Sequence, residues 1–175
     1  MIIGDPSRFA IESHLDQAYE RREFRGLGRF LIHVGGRCYG VNEPKAIVLA
    51  RPFSEIETRT EERGTHTAPF SEADLEATIA SVRESERPWL FDMAFGISKF
   101  DRSHVYQFDV TDKVWVVAFR YLDEVHEIDP DSVRDVWLDA AEYYQLLETW
   151  RDVFDTEWLA APEKVPLRRV KSGVQ

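Results

Sequence analysis

The chain has 175 residues, of which 43% are apolar and 13% aromatic, so it can bury a core without metal or disulfide staples. This composition excludes a disordered protein, and the length predicts one globular domain. The one cysteine, Cys38, excludes an internal disulfide and fits a reducing compartment. Because no apolar run approaches the roughly 20 residues that span a bilayer and no secretory signal is visible, we expect a cytoplasmic protein with no membrane partner.

The net charge of −10 is concentrated in one part of the sequence. Residues 121–157 contain 12 acidic and two basic residues, whereas the other 138 residues contain 20 of each. This asymmetry argues against a nucleic-acid partner, because nucleic-acid binders concentrate Lys and Arg on one surface. It favours a basic protein partner, whose encounter would be accelerated by long-range attraction, although acidity can also serve solubility alone.

The first part of the chain is predicted to be extended. Pro6 cannot donate a strand hydrogen bond, so we expect the first strand to begin after it, within Phe9-Ala10-Ile11. Residues 14–25 are polar and indicate a loop. Two strand-like runs flank Gly35-Gly36, and this pair predicts a hairpin near residues 28–41, because both glycines adopt positive φ without steric cost.

The middle of the chain contains a helix signal and a second hairpin signal. Residues 46–50 fit either a short strand or the start of a helix. A helix near residues 72–85 is predicted to begin at Ser71 as cap, with Leu75, Ile79 and Val82 on one face. The second hairpin spans residues 105–121. Its second run, residues 114–121, is entirely apolar or aromatic except for one arginine and predicts a central strand covered on both faces.

The last predicted helix lies near residues 140–154. Asp139 is its expected cap, with Glu142 completing a capping-box pattern. Residues 133–137 before it fit a strand or a lead-in to the helix. Its apolar stripe, which should pack on the sheet, consists of Tyr143, Leu146, Leu147, Trp150, Val153 and Phe154.

These elements together predict an α+β fold in which an antiparallel sheet packs against the two helices. We expect one domain over residues 1–161. The basic composition from Pro162 onward predicts a flexible tail over residues 162–175.

The strongest catalytic-looking group consists of Glu124, His126, Glu127, Asp129 and Asp131. Carboxylates beside a histidine can bind a divalent metal or act as acid and base, so a small metal-dependent hydrolase is one alternative. The spacing matches no established metal motif, however, and a solvated acidic edge is the commoner explanation. We therefore predict no catalytic residue, no metal site and no cofactor.

Two further residues invite a chemical interpretation. His33 lies within an apolar strand, where a hydrogen-bonded structural histidine is the commoner case. Cys38 follows Arg37, which could lower the pKa of its thiol, but no partner base is identifiable. We therefore expect Cys38 to be a packed thiol in the first hairpin.

The opening GDPSRFAI (Gly4 to Ile11), the strand Gly28-Arg29-Phe30-Leu31-Ile32 and the turn Gly35-Gly36 together resemble the immunity protein 42 family. Those proteins are encoded beside bacterial polymorphic toxins and are believed to protect the producing cell by binding the cognate toxin. The resemblance implies a non-catalytic toxin inhibitor, and it supplies no catalytic residues to transfer.

A toxin inhibitor fits the charge pattern, because a carboxylate-rich face can occupy a basic groove that normally accepts phosphates. We expect that face between residues 121 and 131, with Tyr121 as an aromatic anchor. A non-catalytic adaptor that binds another class of protein through a sheet edge is a further alternative. The predicted partner-binding residues are Tyr121, Asp123, Glu124, Glu127, Asp129 and Asp131.

Overall fold

The computed structural model describes residues 1–67, 74–84, 92–93, 102–122 and 127–166. These residues form two β-sheets and three helices, which confirms the predicted α+β class. The strands are β1 (Ile2–Asp5), β2 (Phe9–Tyr19), β3 (Gly26–Val34), β4 (Arg37–Tyr39), β5 (Ile47–Val48), β6 (Ser103–Val110), β7 (Lys113–Arg120), β8 (Arg134–Asp139) and β9 (Lys164–Val165). The helices are α1 (Ala50–Glu61), α2 (Leu75–Glu84) and α3 (Ala140–Ala160).

The large sheet has the order β1-β2-β3-β4, with β5 paired to β3 and β9 paired in parallel to β2. The hairpin of β3 and β4 is confirmed, and Gly35 and Gly36 form its turn at φ values of 55° and 79°. Residues 46–50 contain both of the alternatives left open, because β5 ends at Val48 and α1 begins at Ala50.

Two expectations for the large sheet are wrong. A strand, β1, precedes Pro6, and the residues from Pro6 to Arg8 connect it to β2. The expected loop over residues 14–25 is also too long, because β2 continues to Tyr19. Within residues 14–19 only Ala18 is buried, and the other side chains are at least partly exposed to solvent. The strand therefore has the composition of a polar loop.

The small sheet has the order β6-β7-β8, and the hairpin of β6 and β7 is confirmed. Residues 133–137, which were ambiguous in the sequence, lie mostly in β8. The central strand β7 is buried on both faces, as predicted. Alternate side chains of β7 belong to two different cores: Val114, Val116 and Ala118 to the inner core, and Trp115, Val117 and Phe119 to the outer core.

The inner core lies between the two sheets and helices α1 and α3. The outer core lies on the opposite face of the small sheet, where Leu75, Ile79 and Val82 of α2 pack, as predicted. The Asp74 carboxylate accepts a hydrogen bond from the Ala77 N–H at 3.0 Å at the start of α2. The predicted cap, Ser71, lies outside the described residues.

Asp139 caps α3 as predicted, because its carboxylate accepts hydrogen bonds from the Ala141 and Glu142 backbone N–H groups. The Glu142 carboxylate accepts from Arg8 at 2.6 Å, so it ties the helix to the turn after β1.

The stripe on α3 is confirmed in large part, but Val153 is 41% exposed. One residue corresponds to about 100° around a helix, which turns Val153 away from the buried position of Phe154. The buried face of α3 consists of Tyr143, Tyr144, Leu147, Trp150, Phe154 and Trp158.

Part of the basic segment that was expected to be flexible belongs to the large sheet. Lys164 and Val165 form β9, and they pair with Ala18 and Tyr19 of β2. The Glu20 N–H also donates to the Val165 carbonyl at 3.2 Å. Residues 167–175 of the predicted tail lie outside the described residues.

Candidate functional site

The predicted partner-binding residues lie in the connection between β7 and β8, residues 121–132, which we call the acidic loop. Residues 121–122 are joined to residues 127–128 by a bridge between Tyr121 and Ile128 and by a hydrogen bond from the Leu122 N–H to the Glu127 carbonyl at 2.8 Å. Three residues of the sequence-based hypotheses, Asp123, Glu124 and His126, lie outside the described residues.

The second half of the acidic loop is firmly attached to both sheets. Asp129 begins a 3-10 turn over Pro130–Ser132, and its carboxylate accepts from the Asp131 N–H at 3.0 Å. The Ser132 hydroxyl accepts from the Arg120 N–H at 2.7 Å. The Tyr39 hydroxyl of the large sheet donates to the Ser132 carbonyl at 2.5 Å, and burial raises the pKa of Tyr39 to about 12. The turn is therefore preorganised.

Two carboxylates of the acidic loop are exposed and available. The side chains of Glu127 and Asp131 are on the surface, and in the described part of the chain no basic side chain pairs with either carboxylate. Since no described basic side chain forms an ion pair with either carboxylate, both can attract a basic partner.

Most of the other described acidic side chains of residues 121–157 bind a group elsewhere in the fold. Four of these carboxylates pair with basic residues that are distant in sequence, Asp135 binds an indole and Asp152 pairs with its neighbour, so the acidic surface is smaller than the charge count suggested. The pairs are Asp135 with the Trp115 indole, Asp139 with Lys113, Glu142 with Arg8, Glu148 with Arg63, Asp152 with Arg151, and Asp155 with Arg25.

Three arginines border the acidic loop, a feature that the sequence did not reveal. Arg37 and Arg134 donate to the Asp131 carbonyl at 2.5 and 3.2 Å, and Arg102 donates to the Leu122 carbonyl at 2.9 Å. Arg37 and Arg102 are distant from the acidic segment in sequence, so only the tertiary fold brings their charges there. Their guanidinium groups repel other cations. The loop therefore attracts only a partner whose basic residues lie directly against the carboxylates.

Tyr121 is half-buried rather than fully projecting. Its ring lies 5.0 Å from the His104 ring and 5.4 Å from the Phe119 ring, and the Arg83 guanidinium lies 5.7 Å from its centre. Burial raises the pKa of Tyr121, and Arg83 opposes this effect. The ring is therefore held in place by aromatic contacts, with part of its surface exposed.

The remaining chemical candidates form structural contacts. His33 is hydrogen-bonded as predicted, because its Nε2 lies 2.9 Å from a Glu12 carboxylate oxygen. Cys38 lies in β4 of the first hairpin, as predicted. Burial raises the pKa of its half-buried thiol, Glu12 raises it further and Arg120 lowers it, so the thiol is not activated. Among the described residues, no group of three or more His, Cys, Asp or Glu side chains is arranged to hold a metal ion.

One buried polar network resembles an acid–base pair but is closed to substrates. His66 and Asp109 are 3% and 6% exposed, and the Asp109 carboxylate accepts from the His66 backbone N–H at 2.9 Å and from the Tyr144 hydroxyl at 2.8 Å, with the His66 Nδ1 at 3.6 Å. Burial of Asp109 opposes its ionisation, but these hydrogen bonds outweigh burial and lower its pKa. The network joins β6 to α3 and to the loop after α1.

No helix within the described residues is both long and apolar enough to cross a membrane. No curated protein sequence matches the chain. The crystal structure of CdiI from Burkholderia dolosa AUO158 is similar to it in fold, with a TM-score of 0.57 and 13% identity, over 89% of this chain and 99% of that chain. The model of the family described as immunity protein 42 matches residues 1–153. The chain therefore belongs to the immunity protein 42 family and is a toxin-neutralising immunity protein.

Proposed function

We propose that the protein neutralises its toxin by placing the acidic loop on a basic surface of that toxin. The residues that would make this contact are the six that the sequence nominated: Tyr121, Asp123, Glu124, Glu127, Asp129 and Asp131. The observation that carries the proposal is that Glu127 and Asp131 are exposed, with no basic side chain of the described residues paired to either carboxylate, and that Asp131 lies in a turn held by the Ser132 and Tyr39 hydrogen bonds.

Inhibition by this route needs no reaction, because occupying the basic surface is enough to exclude the toxin's own ligand. The Ser132 and Tyr39 hydrogen bonds hold the 3-10 turn before the toxin arrives, so little conformational entropy is lost on binding. The exposed carboxylates would chiefly accelerate the encounter, since long-range attraction acts on the association rate.

The test compares two double variants with the same net charge. E127Q/D131N removes the two unpaired carboxylates of the acidic loop without changing their shape. E57Q/E62Q removes two exposed carboxylates of α1 and of the turn that follows it, and it serves as the matched control. The binding partner is the toxic domain of the cognate toxin, which is sought first in the gene immediately upstream. The association rate is measured from about 50 to about 500 mM salt, which shortens the screening length about threefold.

We expect E127Q/D131N to associate about tenfold more slowly than the control at the lowest salt, and the difference to shrink as salt rises. Equal rates for the two variants at every salt concentration would exclude the acidic loop as the steering surface.

A further inference from the structure

A groove of about 470 Å³ lies between α2 and the acidic loop. Leu75, Ile79 and Ala80 of α2 form one wall. The other wall consists of Ile128, Pro130 and Val133. Both walls belong to elements that pack on the outer core, so the groove is an opening from the surface onto that core.

The lining of the groove is apolar and only partly covered. Ala80 and Pro130 are exposed, and Leu75, Ile128 and Val133 are half-buried, although all of them are apolar. Pockets of about 300 to 1,000 Å³ that are lined mainly by apolar groups hold compact organic groups. The groove is therefore large enough to accept a bulky apolar side chain of a partner.

The charges at the rim indicate what kind of partner surface carries that side chain. Glu76 of α2 is exposed and lines the groove, and the exposed Glu127 of the acidic loop directly precedes the lining residue Ile128 in the chain. Arg83, the one basic residue among the described lining residues, lies over the Tyr121 ring. A partner that inserts an apolar group here would place its flanking residues against carboxylates, which favours basic flanks.

We propose that this groove is an anchor site that receives a bulky apolar side chain of the toxin, flanked on the toxin by basic residues. This inference rests on the proposed function and adds the second half of a binding surface to it. Buried apolar anchors supply most of the affinity of protein interfaces, whereas exposed charges mainly affect the rate of encounter. The groove would therefore govern dissociation of the toxin, while the acidic loop governs its association.

The experiment uses two alanines of α2 that are both exposed. Ala80 lines the groove, and Ala77 of the same helix is not part of the lining. A80W fills the groove with a side chain of this protein, whereas A77W places the same side chain on the helix outside it. Three quantities are measured for both variants and for the wild type. They are the rate at which the toxic domain of the cognate toxin dissociates from the protein, the unfolding midpoint and the oligomeric state.

We expect A80W to dissociate from the toxin at least about tenfold faster than A77W, with association rates and unfolding midpoints that differ little between the two variants. If A80W fails to fold, A80L fills the groove with less bulk and is expected to shift dissociation in the same direction. Equal dissociation rates for folded A80W, or folded A80L, and for A77W would overturn the anchor site while leaving the acidic loop intact.

Three other outcomes would each contradict one of the two proposals, and the measurements distinguish them. A wild-type protein that does not bind the toxin domain at all contradicts the proposed function itself. A wild-type dimer that A80W alone converts to a monomer assigns the groove to a second copy of the chain and overturns the anchor site. A lower unfolding midpoint for A80W than for A77W, with unchanged toxin dissociation, assigns the groove to the chain's own packing and overturns it as well.

Discussion

The acidic residues of α3 and those of the acidic loop come from one continuous stretch of sequence, but the fold treats them differently. On α3, Glu142, Glu148 and Asp155 bind Arg8, Arg63 and Arg25, which come from other parts of the chain. On the loop, Glu127 and Asp131 are exposed with no described cation on their carboxylates. The comparison teaches that a local charge excess becomes a recognition surface only where the tertiary fold leaves it unpaired.

The structural role of the paired carboxylates on α3 is tested most strongly by the substitution D155N. The Arg25 side chain is 5% exposed and its guanidinium lies 3.3 Å from the centre of the Phe53 ring, so its buried charge is compensated by the Asp155 carboxylate. We expect D155N to lower the free energy of unfolding by about 2–3 kcal/mol, measured by urea denaturation, and to leave toxin association unchanged.

The control for this prediction is D152N, which alters a carboxylate that is 68% exposed and pairs with the adjacent Arg151. Exposed pairs of this kind contribute at most about 1 kcal/mol. If D155N and D152N changed stability equally, the paired carboxylates of α3 would not have the structural role assigned to them.

The buried Asp109 extends the comparison to a carboxylate that is both inaccessible and fully hydrogen-bonded. Its pKa is lower in the folded protein than in an unfolded chain, so its ionised form stabilises the fold above about pH 4. This stabilisation is lost as the pH falls through the lowered pKa. We expect D109N to cost about 1–3 kcal/mol at neutral pH, and its stability to fall less steeply than that of the wild type below about pH 4.

Acid denaturation followed by circular dichroism measures this difference. E127Q provides the reference, because its side chain is exposed and takes no part in the network. If D109N and the wild type showed the same acid transition, Asp109 would not determine the acid stability of the protein.

The smallest expected effect comes from Y39F, which tests whether the acidic loop is held by the large sheet. Removing the hydroxyl leaves the buried Ser132 carbonyl without this donor, which should cost about 1 kcal/mol. Hydrogen exchange of the Asp131 and Ser132 amides should become faster, and toxin association should slow by less than in E127Q/D131N. Unchanged exchange at these amides would mean that other contacts fix the turn.

The elements with strong local signals were predictable from the sequence. The Gly35-Gly36 hairpin, the two-sided burial of β7 and the Asp139 cap each depend on residues that are adjacent or nearly so. The family resemblance likewise came from short motifs near the N-terminus, and the match over residues 1–153 confirms it.

The features that could not be predicted depend on contacts between distant residues. The polar end of β2 is a strand because β3 pairs with it, with a register shift between Leu15 and Gln17. Similarly, β9 is specified by its contact with the end of β2 rather than by its own two residues. Local propensity does not contain such information.

The candidate site shows the same division. The sequence located the acidic loop correctly as a charged connection after β7, but it could not show which carboxylates are neutralised by Arg8, Arg25 and Arg63. It also placed Leu75 and Ile79 in the core without indicating that Ala80 beside them opens a groove to the surface.

The alternation along β7 has a consequence for how proteins with this fold acquire new partners. Side chains of β7 that point toward α1 and α3 fill the inner core, and those that point toward α2 support the groove and the loop. Substitutions on the α2 side would therefore alter the proposed binding surface while the packing between the two sheets is conserved. A duplicated copy of such a gene can change its specificity step by step without first passing through an unfolded intermediate.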